Sequence, residues 1–153
     1  MLFLVFQVGG ERYALEASKV VEVVPFVTLR RLPQAPRGVA GLFSYHGRPV
    51  PVVDLSEWLT GQPAREQLST RILVVNYQDG GGAERLLGIL AERATEMLHK
   101  DPEAFRDAGV KVPAAPSLGP VLLDERGSIQ WLDHQSLLPA GVAGQVFQDL
   151  PSP

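Results

Sequence analysis

The sequence predicts an all-β protein made of two small five-stranded barrels packed side by side, with short closing helices. Three observations carry that prediction. First, the apolar runs are short and are separated by 15 glycines and 13 prolines spread over all 153 residues. That is the punctuation of strands and turns, not of long helices. Second, one motif series occurs twice. Gly10-Glu11-Arg12-Tyr13-Ala14-Leu15 resembles Ala83-Glu84-Arg85-Leu86-Leu87-Gly88, and Val20-Val21-Glu22-Val23-Val24 resembles Ala94-Thr95-Glu96-Met97-Leu98. The offset is 73 from Glu11 to Glu84 and 74 from Glu22 to Glu96, so one insertion reconciles the copies. Third, each copy closes alike. Gly47 leads through a strand to Val53-Asp54-Leu55 and a helix ending Trp58-Leu59; Gly127 leads through a strand to Leu132-Asp133 and a helix ending Leu137-Leu138. Five short strands hide their edges by curling into a barrel. Two such barrels share apolar surface that neither could bury alone.

The elements follow in order. Leu2 to Val8 reads as a buried strand, and Gly9-Gly10 supplies the positive φ of a two-residue hairpin into Arg12 to Leu15. Lys19 to Pro25 is a β-branched run broken by Glu22, so it favours strand over helix. Period-2 alternation puts Val20, Glu22 and Val24 on one face and Val21 and Val23 on the other. Val27 to Arg37 is a loop carrying Pro33 and Pro36. Val39 to Tyr45 and Arg48 to Val53 form a hairpin across His46-Gly47, with Pro49 and Pro51 pointing the same way at an edge or bulge. Leu55 to Leu59 is a short helix ended by Gly61 and Pro63.

The second copy begins with a strand from Arg71 to Tyr77 and a turn over Asp79 to Gly82. Separate strands follow over Arg85 to Leu90 and Ala94 to His99. Asp101-Pro102 caps a helical turn to about Phe105, and Val110 to Pro120 is a proline-bearing loop. Val121 to Asp124 and Ser128 to Leu132 form the last hairpin, and Gln135 to Leu138 a short helix. Val142, Val146, Phe147 and Leu150 have helical spacing, which predicts a short docked helix in the tail. The organisation is one domain over 1–138 and a tail over 139–153. Within the domain, subdomain one spans about 15–68 with the N-terminal strands, and subdomain two about 69–138.

Composition limits the chemistry. Apolar residues are 45% and charged residues 20%, the balance of a globular chain. The net charge is -3 and the pI about 5.6, so no basic excess is available for a phosphate backbone. There is no cysteine, which excludes disulfides, thiolate zinc sites and cysteine nucleophiles. The apolar start, Met1 to Phe6, stops at Gln7, far short of the roughly 18 apolar residues of a spanning helix. No Lys or Arg precedes it, so it makes a poor signal peptide. The expectation is a mature chain starting near Met1 and residing in the cytoplasm.

Candidate catalytic parts are few. His46, His99 and His134 have no metal-ligand spacing, and no G-x-S-x-G elbow holds a serine. Gly80-Gly81-Gly82 lacks the Lys-Ser/Thr of a phosphate cradle and reads as a hairpin tip. Asp54 and Asp133 stand at strand-to-helix junctions, where a carboxylate caps orphan backbone N–H groups. Arg30, Arg31, Arg37 and Arg48 form a small basic group with only Phe26 nearby, not the interleaved aromatics of a nucleic-acid surface. Trp58 and Trp131 read as equivalent packing residues. What remains is recognition: no catalysis, no cofactor and no metal are expected. Glu22 and Glu96, acids amid apolar strand residues, suit a surface that binds an amphipathic partner.

In their order and spacing these motifs resemble the CheW-like family, the chemotaxis coupling proteins. The resemblance runs through Phe3-Leu4-Val5-Phe6, Tyr13-Ala14-Leu15, Val20-Val21-Glu22-Val23, Leu32-Pro33-Gln34-Ala35-Pro36 and Val39-Ala40-Gly41-Leu42-Phe43. Its most specific segment is Gly47-Arg48-Pro49-Val50-Pro51-Val52-Val53-Asp54-Leu55. In the second copy it includes Thr70 to Val75, Leu87-Gly88-Ile89-Leu90, Leu118-Gly119 and Leu132-Asp133 with Leu137-Leu138. It covers roughly residues 2–138.

The resemblance implies SH3-like barrels and a non-catalytic adaptor. Such an adaptor joins the cytoplasmic tip of a methyl-accepting-type chemoreceptor to the regulatory domain of a CheA-type histidine kinase, at the periphery of membrane receptor arrays, with self-association inside the array. Carried over by motif, the receptor groove comprises Val20, Glu22, His46, Arg71, Gly88, Ala94 and Met97. The chain departs from the family at Ser44-Tyr45-His46-Gly47, where Asn-Leu-Arg-Gly is usual, so a histidine replaces an arginine on the receptor side. Ala91-Glu92 replaces Val-Asp, and Ala94-Thr95-Glu96-Met97 a run of small valines. These departures suit a divergent chemosensory-like array. The competing class is an SH3-like barrel that binds nucleic acid, which the acidic balance disfavours; a hydrolase lacks a nucleophile–base pair.

Overall fold

A computed structural model describes residues 1–79, 81–107, 118–138 and 146–147. β1 (Leu2–Val8) and β2 (Glu11–Glu16) turn over Gly9 and Gly10, both at positive φ. β3 (Val20–Pro25) follows a single 3-10 turn, Ala17–Lys19, so Lys19 ends that turn and does not begin the strand. β4 (Val39–Tyr45) and β5 (Arg48–Asp54) form the hairpin across His46-Gly47, and α1 (Leu55–Thr60) ends at Gly61 in the left-handed conformation. β6 (Arg71–Gln78) pairs with β7 (Glu84–His99). β8 (Leu118–Asp124) and β9 (Gly127–Leu132) close the order.

Three elements differ from expectation. β7 is one strand of 16 residues, not two. It bends where Arg93 takes φ 50° and the register with β1 shifts between Val5 and Gln7. A bulge absorbs the bend and keeps the strand continuous. β8 starts at Leu118 inside the expected loop, admitting Pro120 through a register shift between Leu118 and Val121. The second closing helix is only a 3-10 turn, His134–Ser136.

The strands make two circuits of identical plan. In barrel one, β4 pairs with β5, β5 runs parallel to the first half of β7, β7 pairs with β6, and β6 with β3. Arg30, just past β3, then bridges back to Leu42 on β4 with two backbone bonds of 2.8 Å. In barrel two, β8 pairs with β9, β9 runs parallel to β2, β2 pairs with β1, and β1 with the second half of β7. Arg106, just past β7, bridges to Val121 on β8 at 2.8 and 2.7 Å. Five strands and one bridge thus complete each ring.

This pairing cuts across the expected division near residue 68. The N-terminal hairpin β1–β2 belongs with β8 and β9, while β6 and half of β7 belong with β3, β4 and β5. The two sequence copies have exchanged hairpins.

Three buried clusters result. Barrel one encloses Phe43, Val50, Val52, Ile72, Val74 and Leu90. Barrel two encloses Phe3, Ala14, Phe105, Leu122 and Ile129. The largest lies between them and includes Leu4, Phe6, Leu15, Leu73, Val75, Leu87, Ile89 and Leu137. Val146 and Phe147 are helical and buried in this central cluster, with Phe147 stacked on Tyr77 at 5.6 Å. The rest of the expected tail helix lies outside the described residues.

The tryptophans are not equivalent. Trp131 is on β9 and packs edge-on to Phe3 and Phe105 within barrel two. Trp58 is on α1, abuts the central cluster and donates Nε1–H to the Arg37 carbonyl at 2.6 Å.

Candidate functional site

β3 is an extended strand because four of its six residues are valine, whose branched Cβ suits a pleated surface. Its pairing with β6 contains a bulge: Val20 lies opposite Val75, but Glu22 lies opposite Val74. The extra residue, Val21, reverses the alternation beyond it. Val20 and Val23 therefore share the side of Val75 and Leu73, towards the central cluster. Glu22 and Val24 share the side of Val74 and Ile72. The expected grouping of Val20 with Glu22 and Val24 is corrected by that bulge.

At this strand the central cluster reaches solvent. Val20 is half-buried against it and Val23 is 38% exposed. Barrel two supplies a similar fringe. Met97 on β7 lies opposite Leu4 of the central cluster and is 52% exposed. Leu2, two residues before Leu4 and so on the same face, is 44% exposed. Val23 and Leu2 join the candidate residues for this reason. Exposed valine and leucine on strands carry no distinguishing sequence mark.

The polar side of β3 meets the β4–β5 tip. Tyr45 donates its hydroxyl to Glu22 Oε1 at 2.8 Å. His46 Nε2 stands 3.9 Å from the same oxygen, and the Tyr45 and His46 rings meet edge-on at 4.3 Å. The Glu22 bond, more than burial, pushes the Tyr45 hydroxyl above the usual phenol range. His46 at φ 50° and Gly47 at φ 78° form the primed two-residue turn that aims both rings at β3. Glu22 and His46 thus come together, joined by Tyr45, which lies 23 residues from its partner and gave no local signal; Val20 stands on the other side of β3.

The other carried-over positions do not join them. Arg71 starts β6 opposite Pro25, about 13 Å along the strand from Val75 at 3.3 Å per residue. Its guanidinium donates to the carbonyls of Leu68 and Thr70. Gly88 is inside barrel one against Ile72, Val52 and Phe43, and Ala94 is buried in the central cluster. Neither is a surface residue.

Asp54 is buried and accepts from Ser56 N at 3.0 Å and from Ala64 N at 2.8 Å. Burial pushes its carboxyl up, and the backbone donors partly offset that. Asp133 accepts from Gln135 N and Ser136 Oγ, both at 3.0 Å. On barrel two, Arg12 clamps both carboxylate oxygens of Asp124. Asp124 also accepts from Arg126 N at 2.9 Å, and the Arg12 bond is the main cause that holds its carboxyl down at about 2. Arg126 in turn donates to Glu96 Oε1 at 2.7 Å.

A cleft of about 510 Å³ opens beside Leu15, Trp131 and His134, and one of about 680 Å³ beneath the 26–40 loop. Neither is lined by Glu22, His46 or Met97. Among the described residues no group of three or more His, Cys, Asp or Glu could hold a metal ion. Among them, too, no helix is long and apolar enough to cross a membrane.

Comparison with known proteins identifies the fold and the family. The family model for the CheW-like domain matches residues 2–141. The chain is 26% identical over 106 residues to the chemotaxis protein CheW of Klebsiella aerogenes, covering 69% of this chain and 61% of that one. It is 32% identical over 90 residues to the protein FrzA of Myxococcus xanthus, covering 57% and 56%. The match thus spans about six-tenths of the length of these relatives. The crystal structure of the scaffolding protein TtCheW from Thermoanaerobacter tengcongensis shares the fold, with a TM-score of 0.78 at 20% identity over 92% of this chain and 89% of that one.

Proposed function

The chain belongs to the CheW-like family, and from that premise we propose that it is a non-catalytic adaptor coupling a chemoreceptor's cytoplasmic tip to a CheA-type histidine kinase. The observation that supports this most is the solvent-reaching fringe of the central cluster, with Val20 and Val23 on β3 and Met97 and Leu2 beside barrel two. Exposed apolar strand residues of this kind fit the apolar face of an amphipathic helical partner. In this reading Gly88 packs the interior of barrel one, Ala94 packs the central cluster beneath the fringe, and Arg71 anchors the loop entering β6. The kinase's regulatory domain, which by resemblance has the same fold, is the second partner in this reading.

Val20 is too much part of the core for a clean test, so the test uses Val23→Asp and Met97→Asp. Each puts an unpaired carboxylate where an apolar helix must lie, and desolvating it costs enough to weaken binding at least about tenfold. Calorimetric titration with a purified receptor-tip fragment reads this, with circular dichroism to confirm the fold. Wild-type affinity in both folded variants would rule out the fringe as the receptor site.

A further inference from the structure

The internal repeat gives each barrel an equivalent hairpin tip. His46-Gly47 in the β4–β5 tip and Arg126-Gly127 in the β8–β9 tip hold equivalent positions, as do Glu22 on β3 and Glu96 on β7. In both barrels the residue before the tip glycine reaches the equivalent acid: Arg126 Nη2 to Glu96 Oε1 at 2.7 Å, and His46 Nε2 to Glu22 Oε1 at 3.9 Å. The plan is the same and the cation differs. A guanidinium stays charged at every pH a folded protein meets. An imidazole changes charge between about pH 5 and 8.

We infer that the β4–β5 tip is a proton-gated latch on β3, and that the β8–β9 tip, whose cation keeps its charge, is its pH-independent counterpart between pH 8 and 6. The groups that face His46 are Glu22 from β3 and Tyr45 at the end of β4; Arg48 begins β5 two residues on. With the imidazole neutral, Glu22 holds the tip through the Tyr45 hydroxyl alone. Protonation brings a second donor to the same carboxylate oxygen and draws the longer contact in. Both side chains are well exposed, 74% for His46 and 49% for Glu22, so the latch opens and closes without disturbing the core. Its purpose rests on the groove reading, because β3 also carries Val20 and Val23. The pairing itself is measured on the free protein, so the two readings fail separately.

The test is a nuclear magnetic resonance titration of the full chain from pH 8 to pH 5. The Glu22 carboxyl carbon, the Tyr45 ring and the β3 amides should shift in step with the His46 ring, while the Arg126 guanidinium and the amides of its tip stay flat between pH 8 and 6. Glu22→Gln should leave His46 titrating, with the touching Tyr45 ring still following it, and flatten the β3 response. His46→Arg should hold the tip in its low-pH spectrum throughout. Flat β3 signals while His46 titrates would overturn the latch. So would β3 signals that follow His46 equally well in Glu22→Gln.

Discussion

Replacing Gly88 by alanine adds one methyl group to the packed wall of barrel one. The new Cβ would stand 2.9 Å from Ile72 Cγ2, 3.0 Å from Val52 Cγ2 and 3.5 Å from Phe43 Cε1. Carbon atoms pack best at about 3.5–4.0 Å, so two methyl groups must retreat by at least about half an ångström. Both belong to fully buried β-branched residues, whose χ1 freedom is small. Val52 is moreover the residue paired with Gly88, and Ile72 lies on β6, paired with the same strand. Overpacking of this kind costs about 1–3 kcal/mol. Alanine returns about 0.4–1 kcal/mol by narrowing the unfolded ensemble. The net expectation is a loss of about 1–2 kcal/mol, or about 2–8 °C in Tm for a chain of this size. Urea denaturation should show a lower midpoint with an unchanged slope. Adding Val52→Ala makes room for the methyl, so the double variant should lose less than the sum of the singles. Affinity for a receptor-tip fragment, measured where the variant is folded, should match wild type. Unchanged stability would refute the packing argument. Lost affinity at retained stability would return Gly88 to the binding surface.

Asp54→Ala removes the acceptor of both Ser56 N and Ala64 N and should cost about 2 kcal/mol in urea denaturation, with receptor-fragment affinity unchanged once folding is controlled for. The acid limb of stability contains two opposed carboxyls. Asp124, held at about 2, stabilises the fold above its ordinary value of 3.8, and that contribution is lost as the pH falls from about 4 to about 2. Asp54 is raised, so its contribution is present below the unfolded value and lost as the pH rises through the folded one. Asp124→Asn should therefore flatten the acid limb and Asp54→Asn steepen it; denaturation midpoints between pH 2 and 5 measure both. If His46 takes the arginine's role at the receptor, affinity for the tip fragment should rise from pH 8 to pH 6. His46→Arg should make it independent of pH, and a flat wild-type response would remove His46 from the binding role.

Turn chemistry made the hairpins legible: Gly9-Gly10 and His46-Gly47 provide positive φ where two-residue turns need it. The caps were equally local, because a carboxylate reaches N–H groups two residues on whatever the rest of the chain does. The repeat located equivalent strands correctly but not their partners. A hairpin carries the same residues whether it closes on its own copy or on the other, so the exchange of β1–β2 for β6–β7 left no local trace. The bulge at Val21 was hidden for a related reason. Nothing in Val20-Val21-Glu22 marks which residue is extra, yet it decides which side chains join the exposed fringe. Gly88 and Ala94 were placed on the groove by motif alone, and only the packing around them shows that they lie beneath a surface. Tyr45 was invisible as a partner of Glu22 because the hydroxyl finds the acid only after β3 and the hairpin tip meet.

The exchanged hairpins also impose a timetable on the growing polypeptide. Barrel one has all its strands once residue 91 has left the ribosome. The ring containing β1 and β2, the first strands made, stays open until β9 arrives, because Arg12 finds its partner only at Ile129. Throughout that interval the N-terminal hairpin carries Leu4, Phe6, Val8 and Leu15 with no completed core to receive them. A ribosome stalled before Gly127 therefore displays one finished ring beside a greasy hairpin, the kind of nascent surface that chaperones hold and neighbouring chains stick to. The first residues translated are thus among the last to be sealed.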